Sequence, residues 1–231
     1  MHLAKFSLLQ ALFISVLALI LSYFFPVAGR LDRSLIEQWM TAQGDFYLRD
    51  HWTLATLGHQ YVKWVLIFCA VLILLRWIQA LKSGGNSLER WRYGCFLILL
   101  IVPDALIALL KAQSAYACPW DMTVAVQHHF VWTFQATAGH CFPGGHASAG
   151  FSIMAGYFIY RDRDLKLAHF YLIMGMLLGF SMGWGQMMRG AHFLSHNLWT
   201  GLIVWGVSVV IYLIFYRKLN PVSDLQSSRE D

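Results

Sequence analysis

Six stretches of the chain are long, apolar and nearly free of charge. Phe6 to Gly29 carries no Lys, Arg, Asp or Glu, Trp64 to Leu81 only Arg76, and Tyr93 to Leu110 only Asp104. Cys141 to Tyr160, Leu167 to Met188 and Asn197 to Tyr216 carry none. A helix rises about 1.5 Å per residue, so about 20 apolar residues cross a hydrocarbon core roughly 30 Å thick. The pattern predicts an all-α fold, a bundle of six transmembrane helices. Arg76 lies close enough to its helix end to snorkel, and Pro143-Gly144-Gly145-His146 shortens the helical part of the fourth run. The first run is too apolar over too great a length for a signal peptide, and no small-residue cleavage site follows it. It is read as a signal anchor.

Composition supports this reading. Of 231 residues, 58% are hydrophobic and 13% charged, where a soluble domain has about a quarter charged. Disorder, collagen-like repeats and an ordinary water-soluble globule are excluded. The net charge of +5 would suit nucleic acid only if the basic residues clustered on one face. They are scattered between the apolar runs, so no nucleic-acid partner is expected.

Their placement orients the bundle instead, since Lys and Arg favour cytoplasmic loops. With the N-terminus in the cytoplasm, eleven fall inside: Lys5, Arg76, Lys82, Arg90, Arg92, Arg161, Arg163, Lys166, Arg217, Lys218 and Arg229. Six fall outside: Arg30, Arg33, Arg49, Lys63, Lys111 and Arg189. Both termini are then cytoplasmic. Residues 1–219 read as a single transmembrane domain without internal repeats, and residues 220–231 as a polar, disordered cytoplasmic tail. Inside loops are short, with a turn signal at Gly84-Gly85-Asn86.

The outside segments are longer. Between Leu31 and Trp52, Leu31, Leu35, Trp39 and Met40 alternate with Asp32, Arg33, Glu37 and Gln38. That spacing suits a short helix, lying in the interface or packed on its own protein. Lys111 to His146 is rich in aromatics, histidines and small residues, and a loop of that length is usually functional. Cys69 and Cys95 lie inside apolar runs as small core residues. Cys118 and Cys141 stand at the two ends of the long loop and could form a disulfide in an oxidising periplasm. The ten Trp and ten Tyr are mostly an interfacial belt.

Most polar residues that lack a structural reason fall at the outer face. Lys111 ends the third span, Gly144-Gly145-His146 opens the fourth, Arg189-Gly190-Ala191-His192 closes the fifth, and His196-Asn197 opens the sixth. Charged groups near membrane helices are expensive and tend to be functional. Lys111 and Arg189 supply charge for an anion, and loop amides at Gly144 and Gly145 supply donors. Two histidines supply acid–base and nucleophilic chemistry near neutral pH. His128, His129 and His140 carry no motif and read as loop residues.

These segments resemble the type 2 phosphatidic acid phosphatase (PAP2) superfamily of lipid phosphatases and vanadium haloperoxidases, in a bacterial membrane branch. That family's pattern is Lys, six residues and Arg-Pro, then Pro-Ser-Gly-His, then Ser-Arg, five residues, His, three residues and Asp. Here Lys111 is followed by six residues and Cys118-Pro119, the second motif reads Pro143-Gly144-Gly145-His146, and the third ends Gly190-Ala191-His192 with His196 three residues on. The departures are Cys118 for Arg, Gly144 for Ser, Gly185-Gln186 for Ser-Arg and His196 for Asp. Arg189 lies three residues after Gln186, on the same helix face, and could replace the missing arginine. For the absent Asp, the candidates are His196, Asn197, Asp121 and Asp104.

The resemblance implies a hydrolase using metal-free phosphohistidine chemistry, with no cofactor. His192 would attack phosphorus and His146 would serve as acid and then base. Lys111, Arg189 and the amides of Gly144 and Gly145 would bind phosphate, with His196, Asn197, Gln186 and Asp121 in support. The substrate would be phosphatidic acid, phosphatidylglycerophosphate, a polyprenyl pyrophosphate or a lipid A phosphate, met at the periplasmic face of a bacterial inner membrane. Other readings stay open: phosphotransfer between lipids, a non-catalytic lipid carrier, or a zinc hydrolase using His192 and His196, four apart, with His146 or His140. Sequence does not address oligomeric state.

Overall fold

The computed structural model describes residues 3–84, 86–134 and 139–221, with the side chains of residues 57–59 excepted. The tail expected to be disordered lies outside the described residues from 222 onward, and so does Gly85 of the turn signal. The helices are α1 (Leu3–Phe24), α2 (Arg30–Ile36), α3 (Val62–Lys82), α4 (Ser87–Ala112), α5 (Gly145–Phe151), α6 (Ala155–Tyr160), α7 (Leu165–Met188) and α8 (Leu194–Leu219). A π-helical stretch, Thr53–Tyr61, leads into α3.

Five of these, α1, α3, α4, α7 and α8, are long and apolar enough to cross a membrane. Their outward faces carry exposed apolar side chains, such as Leu8 at 70% and Ile214 at 69% exposure, which lipid rather than water accommodates. The fourth apolar run differs from the single helix expected of it. It is divided by a 3-10 turn, Ser152–Met154, between α5 and α6.

Glycines decide how this broken helix packs. A Cβ on Gly150 would lie 2.5 Å from the Gly179 nitrogen, and one on Gly175 would lie 2.6 Å from Met154 Cγ. One on Gly183 would lie 2.6 Å from Asn197 Cγ on α8. Gly175, Gly179 and Gly183 recur every four residues and form one stripe along α7. Small residues let helix backbones approach closely, so α5 and α6 lie along α7 and α8 closes against its end.

A compact cap covers one end of the bundle. The all-α expectation missed its hairpin, β1 (Thr123–Val126) and β2 (His129–Trp132), which pair antiparallel from Thr123↔Trp132 to Val126↔His129. The two outside segments are bound together. Thr123 Oγ1 donates to the Gly44 carbonyl at 3.1 Å and Trp132 Nε1 to Glu37 Oε1 at 3.0 Å. Gly44 adopts φ +91° against Phe130, where a Cβ would lie 2.8 Å from that residue's own Cβ. Ile36, Trp39, Phe46 and Met122 of the cap bury against Met187 and Phe193 of the bundle. The segment after Leu31 is thus packed on its own protein.

Cys118 and Cys141 are paired as a disulfide, their Cα atoms 5.2 Å apart and their positions separated by 23 residues. Cys95 is buried, whereas Cys69 is exposed on the helix surface rather than in a core. Closing a loop of this size stabilises a fold by about 3 kcal/mol. Cys118→Ser should therefore lower the thermal unfolding midpoint of the purified protein in detergent. A reductant should lower the wild-type midpoint similarly and leave the variant's unchanged.

Candidate active site

The ends of four helices meet beneath the cap. Lys111 lies in the last turn of α4, His146 is the second residue of α5, Arg189 follows α7, and His196 is the third residue of α8. His192 sits in the short connection between α7 and α8, whose entry is shaped by Gly190 at φ +77° packed on Phe46. Trp120 of the long loop donates its amide to the Gly190 carbonyl at 3.0 Å.

His146 and His192 face each other with ring centroids 6.1 Å apart. His192 is only 2% exposed, and its Nδ1 lies 3.4 Å from Nδ1 of the fully buried His196. The backbone carbonyl of Cys141 also reaches both imidazoles. Phe142 and Phe193 each hold the His196 ring edge-on at 5.4 Å. Burial pushes the His192 pKa well below the usual 6.5, reinforced by His196, Lys111 and His146. The ring is therefore neutral at neutral pH. Its Nδ1 faces the His196 ring, and the Cys141 carbonyl is an acceptor within reach of the same imidazole, so a proton on Nδ1 has a partner. A proton there leaves the lone pair on Nε2.

The other residues singled out by the sequence fall into two groups. Lys111 and His146 line one cavity together with Gly145, and a Cβ on Gly145 would lie 4.0 Å from Lys111 Cδ. Arg189 pairs with Gln186 as its spacing predicted, Nη1 to Oε1 at 3.3 Å, and its Nε donates to the Arg49 carbonyl at 2.7 Å. Gly144 has a different part from the one expected. Its amide donates to Thr200 Oγ1 at 2.8 Å, so that donor faces the protein interior.

A Cβ at Gly144 would also come 3.0 Å from Asn197 Oδ1. The glycine makes room for Asn197, which also packs on Gly183 of α7, and the His192 ring approaches the same point, its Cδ2 3.7 Å from that Cβ. Asp121 and Asp104 do not contact the histidine pair through their recorded bonds. Asp121 accepts from the indole of its neighbour Trp120 at 2.9 Å, and Asp104 accepts from Ser152 at 3.0 Å. Among the described residues, no three His, Cys, Asp or Glu side chains converge as a metal site.

One residue of the site was misplaced by sequence reasoning. Asp32 reads as part of a polar helix face, yet it is 2% exposed. Its carboxylate accepts from the Ser195 amide at 2.9 Å, from the Ser195 hydroxyl in a short contact, and from the Ala28 amide at 3.0 Å. Burial raises its pKa, and these hydrogen bonds oppose the rise. Asp32 thus caps α8 at the residue between His192 and His196.

The PAP2 superfamily pattern matches residues 92–220, more than half of the chain and all three motif regions. The chain belongs to the PAP2 superfamily, and its enzyme class is that of a PAP2-type phosphatase acting on phosphoric monoesters. The chain is also similar to the lipid A 4'-phosphatase of Francisella tularensis subsp. novicida (strain U112), at 24% identity over 229 residues. That alignment covers 93% of this chain and 98% of the relative. No solved structure matches the chain significantly.

The Asp32 cap has a measurable consequence. Asp32→Ala leaves the buried Ser195 amide without its acceptor, which should destabilise the fold by about 1–3 kcal/mol. Denaturant titration in detergent would measure this loss. Ser195→Ala, which keeps the amide–carboxylate bond, should cost less.

Proposed function

We propose that the protein is a bacterial inner-membrane lipid phosphatase whose site opens on the periplasmic side. The observation that carries this reading is the facing pair His146 and His192, with Lys111 lining the cavity that His146 enters. The bias of Lys and Arg supports an outside position for this end of the bundle, and a disulfide beside the site suits an oxidising compartment. Six membrane crossings follow if α5 and α6 together traverse the bilayer, and both termini are then cytoplasmic. Among the candidate substrates, a lipid A phosphate gains support from the relative's printed activity.

In this reading Nε2 of neutral His192 attacks phosphorus in line with the ester oxygen. The N–P bond forms as the O–P bond breaks, and His146 protonates the departing oxygen. His146 then takes a proton from water, which attacks phosphorus and expels His192, releasing inorganic phosphate. His196 and the Cys141 carbonyl hold the Nδ1 proton while positive charge develops on the ring. Lys111, Arg189 and the Gly145 amide balance the phosphoryl oxygens, and electrostatics of this kind does most of the work in phosphoryl transfer.

The decisive experiment measures phosphate release by the purified chain from phosphatidic acid, phosphatidylglycerophosphate, polyprenyl pyrophosphate and lipid A, with EDTA throughout. Release should survive the chelator. His192→Ala should abolish it, and His146→Ala should slow it by about 100-fold to 10,000-fold. Loss of release in EDTA would point to a zinc enzyme, no release at all to a carrier, and transfer to an added lipid acceptor to a phosphotransferase.

The pH profile offers an independent check. Burial lowers the folded-state pKa of His192, so its contribution to stability is present above pH 6.5 and fades as pH falls through the folded value. The acidic limb that His192 imposes on kcat/KM should accordingly lie below pH 6.5. A His192-dependent limb centred at or above that pH would contradict the neutral-nucleophile assignment.

A further inference from the structure

The cavity holding Lys111 and His146 extends between α3, α4, α5 and α7 and measures about 770 Å³. Three zones follow one another along it. Lys63, Lys111 and His146 stand at one end, Asp104, Ser148 and Ser152 form a collar, and side chains such as Ile73 and Phe96 make the rest apolar. Asp104 lies seven residues before Lys111 on α4, about 10 Å along the axis, and Phe96 lies about 12 Å further.

With Asp104 ionised, the collar has more acceptors than protons. Ser148 Oγ donates to the Gly145 carbonyl at 2.8 Å and also reaches Asp104. Ser152 Oγ lies 2.8 Å from the Ser148 carbonyl and 3.0 Å from Asp104 Oδ1. Each hydroxyl has a single proton, so two protons face two carbonyls and a carboxylate. Among the described residues Asp104 has no ion-pair partner. An ionised acid in an apolar channel that shares its two serine donors with carbonyls is costly, and Asp104 lines the cavity.

We propose that Asp104, Ser148 and Ser152 form a second polar subsite that binds a hydroxyl or amide N–H where the substrate's headgroup joins its tails. This deepens the lipid phosphatase reading and rests on it. The three zones match an amphiphile in order: phosphate, donor-bearing junction, hydrocarbon. A phosphate whose tails are joined only through glycerol esters brings no donor to the collar. One carrying an amide or a hydroxyl there satisfies it.

The test compares phosphate release from ceramide 1-phosphate and from phosphatidic acid of matched tails, in detergent micelles, by the full chain. Wild type should favour the amide-bearing lipid by about tenfold to a hundredfold in kcat/KM, mostly through KM, the worth of a hydrogen bond to a charged group. Asp104→Leu and Ser152→Ala should each bring that ratio towards one, while Asp104→Asn, which keeps an acceptor, should retain part of it. Should the leucine variant fail to fold, the serine variant and the asparagine variant carry the comparison. Equal use of both lipids by wild type, or an unchanged ratio in the variants, would overturn the subsite and leave the phosphatase reading standing. Release from neither these lipids nor the wider panel would overturn both.

Discussion

A buried imidazole must either stay neutral or find a counter-charge, because moving a charge out of water costs several kcal/mol. His192 meets this constraint without a carboxylate. A second imidazole faces its Nδ1 and a backbone carbonyl reaches the ring, and neither carries charge. The arrangement works only while three segments are held in register: the loop at Cys141, the turn at His192 and the first turn of α8. The disulfide, the Asp32 cap and the α7 glycine stripe each fix one of them.

Seen this way, the departures from the family pattern form a connected set. Cys118 stands where the first motif has arginine, and its bond to Cys141 secures the segment whose carbonyl reaches His192. Gly144 stands where the second motif has serine and leaves space for Asn197. His196 stands where the third has aspartate, and its Nδ1 lies 3.4 Å from Nδ1 of His192. Arg189, resting on Gln186, returns a guanidinium to the third-motif region. In the proposed mechanism this guanidinium would restore part of the charge lost from the cage, and the relay would be a neutral one.

Much of this was legible in the sequence. Five long helices appear as runs with at most one charge because lipid strongly disfavours charge, and their limits agree within six residues. The motif spacing brought Lys111, His146 and His192 into one hypothesis. The fourth run misled because hydropathy does not register the 3-10 turn at Ser152–Met154. The hairpin was hidden because its strands have four residues each and turn through Gln127-His128 without a glycine. Asp32 was misread for a deeper reason. Local periodicity places it on a polar face, and only Ser195, 163 residues away, makes that position interior.

The same packing determines how a substrate can arrive. The cap buries Ile36, Trp39, Phe46 and Met122 against Met187 and Phe193, and the disulfide ties its long loop at the base. Opening such a cap would expose several large side chains, each worth about 1.5–3 kcal/mol when buried. A route through it would compete with the fold itself. The cavity running between α3, α4, α5 and α7 needs no such opening, since its walls are already apart. In the proposed reading, an amphiphile entering there would keep its tails among apolar side chains and bring its phosphate to Lys111 and His146. The charges around phosphorus would then act in a medium of low polarity, where they are most effective.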